Sequence, residues 1–302
     1  MSVLLNVVLP VFLTAGVAAV VQPRLRLDVR TVSRASFYLF SPALVLDALM
    51  QSRVGGHEFA QIAAVLVMTT GVLWATSAIV SRYLGLDGPT RSAFLVAVLL
   101  MNAGNFGLPV SLFAFGEEGL ARATVYFTVS ALLSSSLGVY LAARGRATAT
   151  MALKRVYSVP IVYAALLGGL INFTGVTLPE PLFKVVRLLG QAAVPVMLTV
   201  LGIQLVATFQ GRTPLTHVRA LGAVALLRLL VAPSVALAVS GLLGLNPFTA
   251  RVVTLQSAMP TAVMTTILAT EFDTNPPFMA MSVFFTTALS LLTIVLLLNW
   301  WL

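Results

Sequence analysis

Two short segments hold residue types with which a very apolar chain could bind something polar. The first reads Leu99-Leu100-Met101-Asn102-Ala103-Gly104-Asn105-Phe106-Gly107-Leu108-Pro109-Val110-Ser111. The second reads Gln256-Ser257-Ala258-Met259-Pro260-Thr261-Ala262-Val263-Met264-Thr265-Thr266. Asparagine, glutamine and threonine offer neutral hydrogen bonds. Proline has no N–H to donate and glycine tolerates non-helical dihedrals, so each segment predicts an interrupted helix. Proline suits the first turn of a helix, so Pro109 and Pro260 are expected to open second half-helices. A helix N-terminus presents free N–H groups and about half a positive charge, which suits an anion. Asn102, Gly104, Asn105, Pro109, Met259, Pro260 and Thr261 could therefore hold a carboxylate with no lysine or arginine near either break. The competing reading is a simple kink, with Asn and Thr bonding neighbouring helices. Five disruptive residues from Asn102 to Pro109 exceed what a kink needs, whereas the second segment leaves both readings open.

Ionisable groups in the apolar stretches are few. Asp47, and more weakly Glu58, could take a proton or a cation, as could the neutral Gln256. For Asp47 a structural hydrogen bond or a solvated helix end stays open. Arg228 could pair with Asp47, neutralise a bound anion, or snorkel to the headgroups; its long stem favours the last. Enzymatic chemistry finds little support. His57 and His217 stand alone, cysteine is absent, and neither G-x-S-x-G nor H-E-x-x-H occurs. No organic cofactor or metal is expected. The Asn172-Phe173-Thr174 sequon falls at an expected helix end.

The elements that must carry these segments follow from composition. Of 302 residues 59% are hydrophobic and only 9% charged, against about 25% charged in soluble domains. Mean hydropathy is +1.01. Such a chain cannot cover a water-facing surface, so lipid is its solvent. The net charge of +9 is not concentrated enough in any segment to track a phosphate backbone, so nucleic acid is not an expected partner. Ten apolar runs approach the length of a membrane span: Val3–Val21, Arg34–Met50, Phe59–Tyr83, Ser92–Phe115, Ala121–Ala143, Ser158–Phe173, Val185–Thr208, Ala220–Leu243, Ala250–Thr270 and Phe278–Trp301. The first is not read as a signal peptide, because its first basic residue, Arg24, follows the run. Twelve of the 18 basic residues fall in the odd-numbered connections and five in the even ones. That bias puts the odd connections in the cytoplasm and both termini outside.

Prolines reveal an internal repeat. Pro10 and Pro160 are 150 residues apart, Pro42 and Pro195 are 153, and Pro109 and Pro260 are 151. The expected architecture is an all-α membrane protein of ten transmembrane helices in two inverted five-helix repeats, residues 1–143 and 158–302. A basic cytoplasmic linker, 144–157, joins them. Spans four and nine are the broken pair, the arrangement that marks a substrate site in secondary transporters.

The segment Asn102-Ala-Gly-Asn105-Phe-Gly-Leu-Pro109 resembles the span-four motif of prokaryotic auxin efflux carrier family members. Phe115-Gly-Glu-Glu-Gly119, Pro195-Val-Met-Leu-Thr-Val-Leu-Gly-Ile-Gln-Leu205 and Ala258-Met-Pro-Thr-Ala262 resemble that family too. The resemblance covers the whole chain. It implies a fold related to plant PIN carriers and bile acid/sodium symporters, with a scaffold from spans one, two, six and seven, often dimeric. The other six spans would form a transport domain that moves as an elevator, with spans four and nine crossing at the site. It further implies a secondary transporter, in a prokaryotic inner (cell) membrane, for small organic anions such as malonate, malate or auxin-like acids. Sodium ion, proton or no ion could couple transport. The short connection at 144–157 departs from the long loop of many plant PIN carriers, which argues against auxin itself. A membrane ligand sensor or a channel on the same fold is the alternative.

Overall fold

The computed structural model describes residues 4–142, 157–210 and 217–301, which are helical apart from short connections and one isolated backbone bridge. The expected linker 144–157 lies, except for Tyr157, outside the described residues. The helices are α1 (Leu9–Leu25), α2 (Val29–Ala35), α3 (Ser41–Met50), α4 (Gly56–Tyr83), α5 (Gly88–Leu99), α6 (Leu108–Leu133) and α7 (Val139–Ala142). After them come α8 (Pro160–Thr174), α9 (Glu180–Gln210), α10 (Val218–Leu226), α11 (Ala232–Leu242), α12 (Pro247–Ser257), α13 (Met264–Glu271) and α14 (Pro276–Trp301). Wider π turns join α2 to α3 (Ser36–Phe40), α6 to α7 (Ser134–Gly138) and α10 to α11 (Leu227–Val231).

Six continuous helical stretches are long and apolar enough to cross a bilayer: Leu5–Leu25, Gly56–Tyr83, Ala103–Ala142, Glu180–Val206, Val218–Leu242 and Pro276–Trp301. Two shorter apolar helices, α5 and α8, accompany them. The fourth and ninth runs read from the sequence are each split, which is why they miss a full crossing length. Ala103–Ala142 joins the second half of the fourth run to the fifth. Gly116, at φ 65° and ψ −162°, interrupts that stretch where only a residue without Cβ sits comfortably.

Local chemistry sets several helix starts. Asp28, Asp87 and Asn246 accept the amides of Thr31, Thr90 and Phe248 at 2.9, 2.9 and 2.8 Å, capping α2, α5 and α12. The Thr31 hydroxyl, 2.6 Å from the same Asp28 carboxylate, joins its amide in holding that carboxyl below its ordinary value.

Packing separates the helices into two groups. In one, α1 lies along α9, and α3 packs on both α8 and α9. Small residues set these approaches: a Cβ on Gly202 would lie 2.0 Å from the Ala15 carbonyl oxygen. Asn172, at the end of α8, donates to the carbonyls of Met50 and Ser52 beyond α3. In the other group α6, α11 and α4 surround α12, while α5 and α10 pack on α14. The turn Ala103–Gly107 leans on α9, and the Phe12 and Phe106 rings meet edge-on at 5.6 Å, joining the groups. Bands of exposed leucine and valine, such as Leu13, Val17 and Val20 on α1 and Leu292 and Leu296 on α14, face outward, as lipid requires.

Candidate functional site

Where α5 and α12 stop, their last carbonyls lose the amides that would have continued each helix. An orphaned backbone group in a dry interior is costly, so each must find another partner. The two breaks supply partners to one another. The Asn102 amide donates to the Pro260 carbonyl and the Ala262 amide to the Leu100 carbonyl, both at 2.8 Å. Met101 and Thr261 thus form an antiparallel bridge. Sequence segments 158 residues apart (Asn102 to Pro260) are stitched by main chain, not only by side chains.

Three more of the freed carbonyls, those of Ala97, Val98 and Ser257, are met by side-chain donors. Ala97, whose helical amide would be that of Met101, accepts the Thr261 hydroxyl at 2.9 Å. Val98 loses the Asn102 amide to Pro260 and accepts Nη1 of Arg228 at 2.7 Å. Ser257 loses the amide of Thr261, which donates instead to the Thr286 hydroxyl at 3.1 Å. Its carbonyl takes Nη2 of the same guanidinium at 2.5 Å. The Tyr126 and Ser257 hydroxyls lie 2.9 Å apart beside this contact. Arg228, Thr261 and Gln256 are fully buried.

Arg228 corrects two expectations. It does not snorkel, and a buried cation does stand at the breaks. No carboxylate forms an ion pair with it among the described residues; its partners are the two carbonyls, and its Nε has none. Its position in the π turn Leu227–Val231 matches the tendency of such bulges to occur at functional positions.

Of the two prolines, Pro109 stands in the first turn of α6, as expected, and Pro260 departs from expectation. A π turn, Ala103–Gly107, leads into α6, and the first backbone bond of the helical stretch is Gly107 N–H to the Asn102 carbonyl, at 2.9 Å. That leaves the amides of Ala103, Gly104 and Asn105 at an open N-terminus, without carbonyls of their own helix. Pro260 opens no helix. It lies within the unwound link, giving its carbonyl to the bridge, and α13 begins at Met264. Gly107 lets the Gln256 carboxamide lie against the backbone, since a Cβ there would stand 2.3 Å from its Oε1 and displace it. The Gln256 amide in turn donates to the Ser111 hydroxyl at 3.1 Å.

Among the sequence-predicted site residues, Asn102, Gly104, Met259, Pro260 and Thr261 gather at the bridge, with Pro109 and Gln256 beside it through α6 and α12. Asn105 is the partly accessible one, and no hydrogen bond among the described residues engages its side chain. Nδ2 of Asn102 is buried without a partner. Asp47 and Glu58 stand elsewhere. Asp47 accepts the Gln51 amide at 2.6 Å near the end of α3. Glu58 pairs with Arg122 at 2.8 Å, which places Arg122 in a largely buried cluster and not in a solvated connection. Thr249 also donates to Glu58, and Arg122 lies 5.0 Å from the Phe248 ring centroid. The sequence does not single out Tyr126, Ser257 and Thr286, whereas it does single out Arg228, with anion neutralisation among its readings and snorkelling favoured. Two clefts open away from the bridge, one of about 300 Å³ beside α11 and α14 and one of about 460 Å³ between Tyr83 and Arg219. At the crossing, Met101, Asn102, Met259 and Thr261 are buried.

A chain whose interior is interrupted this way and faced with lipid matches the family described as membrane transport protein over residues 26–298. The chain belongs to that family. This agrees with the auxin efflux carrier resemblance of its motifs. It is 32% identical over 269 residues to an uncharacterized transporter of Methanothermobacter thermautotrophicus, covering 88% of this chain and 87% of that protein. It is 31% identical over 207 residues to an uncharacterized transporter of Methanocaldococcus jannaschii, covering 67% of this chain and 66% of that one. With its six long apolar stretches, this family member is an integral membrane protein.

Proposed function

We propose that the protein is a secondary active transporter of small organic anions, carboxylates such as malonate, malate or auxin-like acids. The observation that carries this reading is the crossing of the two breaks. The open amides of Ala103, Gly104 and Asn105 stand beside it, and an unneutralised guanidinium is held among its carbonyls. Amides at a helix N-terminus and a nearby bare positive charge both favour a negatively charged guest. Asn102, Gly104, Asn105, Pro109, Met259, Pro260 and Thr261 form the binding region. Asn105 makes first contact, because its amide is accessible and uncommitted.

A bridge buried among the helices calls for alternating access. Helices α1, α3, α8 and α9, with α2, serve as the scaffold and dimer interface. The group around α12 carries the site as an elevator, and ten spans form two inverted repeats. The antiparallel sense of the bridge and the separate packing of the two groups support this division. Both termini face outward across a prokaryotic inner membrane, and a proton or a sodium ion is the coupling ion, with Asp47, Glu58 and Gln256 as its candidate sites.

The test is exchange across proteoliposomes, screening mono- and dicarboxylates with imposed sodium or pH gradients. Asn105→Ala is expected to cut exchange of the accepted acid about tenfold or more, the scale of one charge-assisted hydrogen bond, while leaving thermal stability unchanged. Undiminished exchange in that variant rejects the site.

A further inference from the structure

Broken helices in transporters create two kinds of ends. The N-terminal ends favour anions, and the C-terminal ends, with their freed carbonyls, commonly ligate the coupling cation. In this protein α5 and α12 bring two such C-terminal ends to the bridge. The carbonyls at issue are those of Val98 and Ser257, each four residues before a break residue whose amide is diverted elsewhere. Both are already met by a cation belonging to the chain itself.

We propose that the guanidinium of Arg228 is a resident substitute for a coupling cation at the carboxyl ends of α5 and α12, so that the crossing binds no sodium ion. The inference rests on the transporter reading only for the word coupling; the occupancy is a matter of geometry. One planar fork spans both carbonyls with Nη1 at 2.7 Å and Nη2 at 2.5 Å, an arrangement a single ammonium point charge cannot reproduce. The side chain is fully buried, no carboxylate among the described residues pairs with it, and the partial negative charge of the two helix ends holds it in place while leaving it a net cation. A second cation at the same carbonyls would face that fixed charge at contact distance in a dry interior, where Coulomb repulsion is strong. The carbonyl pair that a sodium ion would need is therefore taken, and of the two proposed coupling ions the proton remains.

The experiment uses the purified full-length chain and needs no organic acid, so its outcome is independent of whether the cargo is a carboxylate. Thermal unfolding is compared in sodium chloride and choline chloride of equal ionic strength. The wild-type midpoint is expected to be the same in both. Arg228→Ala is expected to unfold roughly 10 °C lower, the scale of two charge-assisted hydrogen bonds in a chain of this size. Free guanidinium at non-denaturing concentration should partly restore it, and choline should not. Arg228→Lys serves if the alanine variant cannot be purified: it should fold, with a lowered midpoint indifferent to sodium. A wild-type midpoint raised by sodium over choline overturns the proposal, as does an Arg228→Ala or Arg228→Lys protein as stable as the wild type.

Discussion

Replacing Thr261 by valine keeps the shape of the side chain and removes one hydroxyl, so its cost can be worked from a single contact. Thr261 is fully buried and its hydroxyl donates to the Ala97 carbonyl at 2.9 Å. Helix α5 ends with the bond from Leu100 to Val96, so Ala97 has no helical amide to fall back on. Side-chain hydrogen bonds between membrane helices average only about 0.6 kcal/mol, because the unfolded state also finds partners. Here, however, the substitution strands an acceptor in the interior, which raises the expected cost to about 1–3 kcal/mol. That corresponds to about a 5- to 150-fold loss of the bridged state and a fall in unfolding midpoint of about 2–12 °C. Thr261→Ser keeps the hydroxyl, loses only a methyl group, and should cost about 1 kcal/mol or less. The assay pairs thermal unfolding of purified protein with exchange in proteoliposomes. Valine behaving like the wild type while serine is the more damaged of the two would refute the hydrogen-bond argument, since packing would then be what matters.

Gly107→Ala should destabilise by about 1–3 kcal/mol, because its Cβ would intrude on the Gln256 carboxamide; an unshifted unfolding midpoint would contradict the close approach. Glu58 and Arg122 side chains are 21% and 11% exposed, so Glu58→Gln or Arg122→Met alone should cost about 2 kcal/mol, below the 3–5 of a fully buried pair. The double variant should cost less than the sum, and a coupling energy of zero in that cycle would mean that the pair contributes nothing. Asp28, held below its ordinary value by Thr31, should cap α2 at neutral pH and keep its charge to a lower pH than an ordinary aspartate. A group with a lowered folded value stabilises above its unfolded value and stops doing so as pH falls through the folded one. Hydrogen-exchange protection of the Thr31 amide should therefore be lost at a pH below the ordinary aspartate value, and Asp28→Ala should remove it at every pH.

The first break was legible because asparagine, glycine and proline oppose helix in local, well-understood ways. Its partner was harder to read. Pro260 suggested a helix start by the usual preference of proline for a first turn, but the adjoining residues are drawn into the bridge and the helix waits until Met264. That pull comes from Leu100 and Asn102, far away in sequence, and leaves no trace in the local pattern. Pro109 and Pro260 fell into register as residues 151 apart, yet only Pro109 stands in the first turn of a helix, while Pro260 stands inside a break. Arg228 illustrates the same limit. A lone arginine in a greasy run ordinarily reaches for the headgroups, and the acceptors that keep it inside are backbone carbonyls, which every residue possesses. Gly116 was readable only as a connection; its left-handed backbone shows that one residue suffices.

The main-chain bridge also has a consequence for biogenesis. The ribosome delivers Asn102 long before Pro260, and 158 residues of chain separate the two. At about 5–20 residues per second that is about 8–30 s of synthesis. Throughout that interval the Leu100 carbonyl and Asn102 amide have no strand to meet, and lipid cannot hydrogen-bond them. Until the later segment arrives, the nascent first half must either complete those bonds within its own chain, Asn102 to Val98, and then unwind to close the seam, or wait in a wet or proteinaceous shelter such as an insertion machinery.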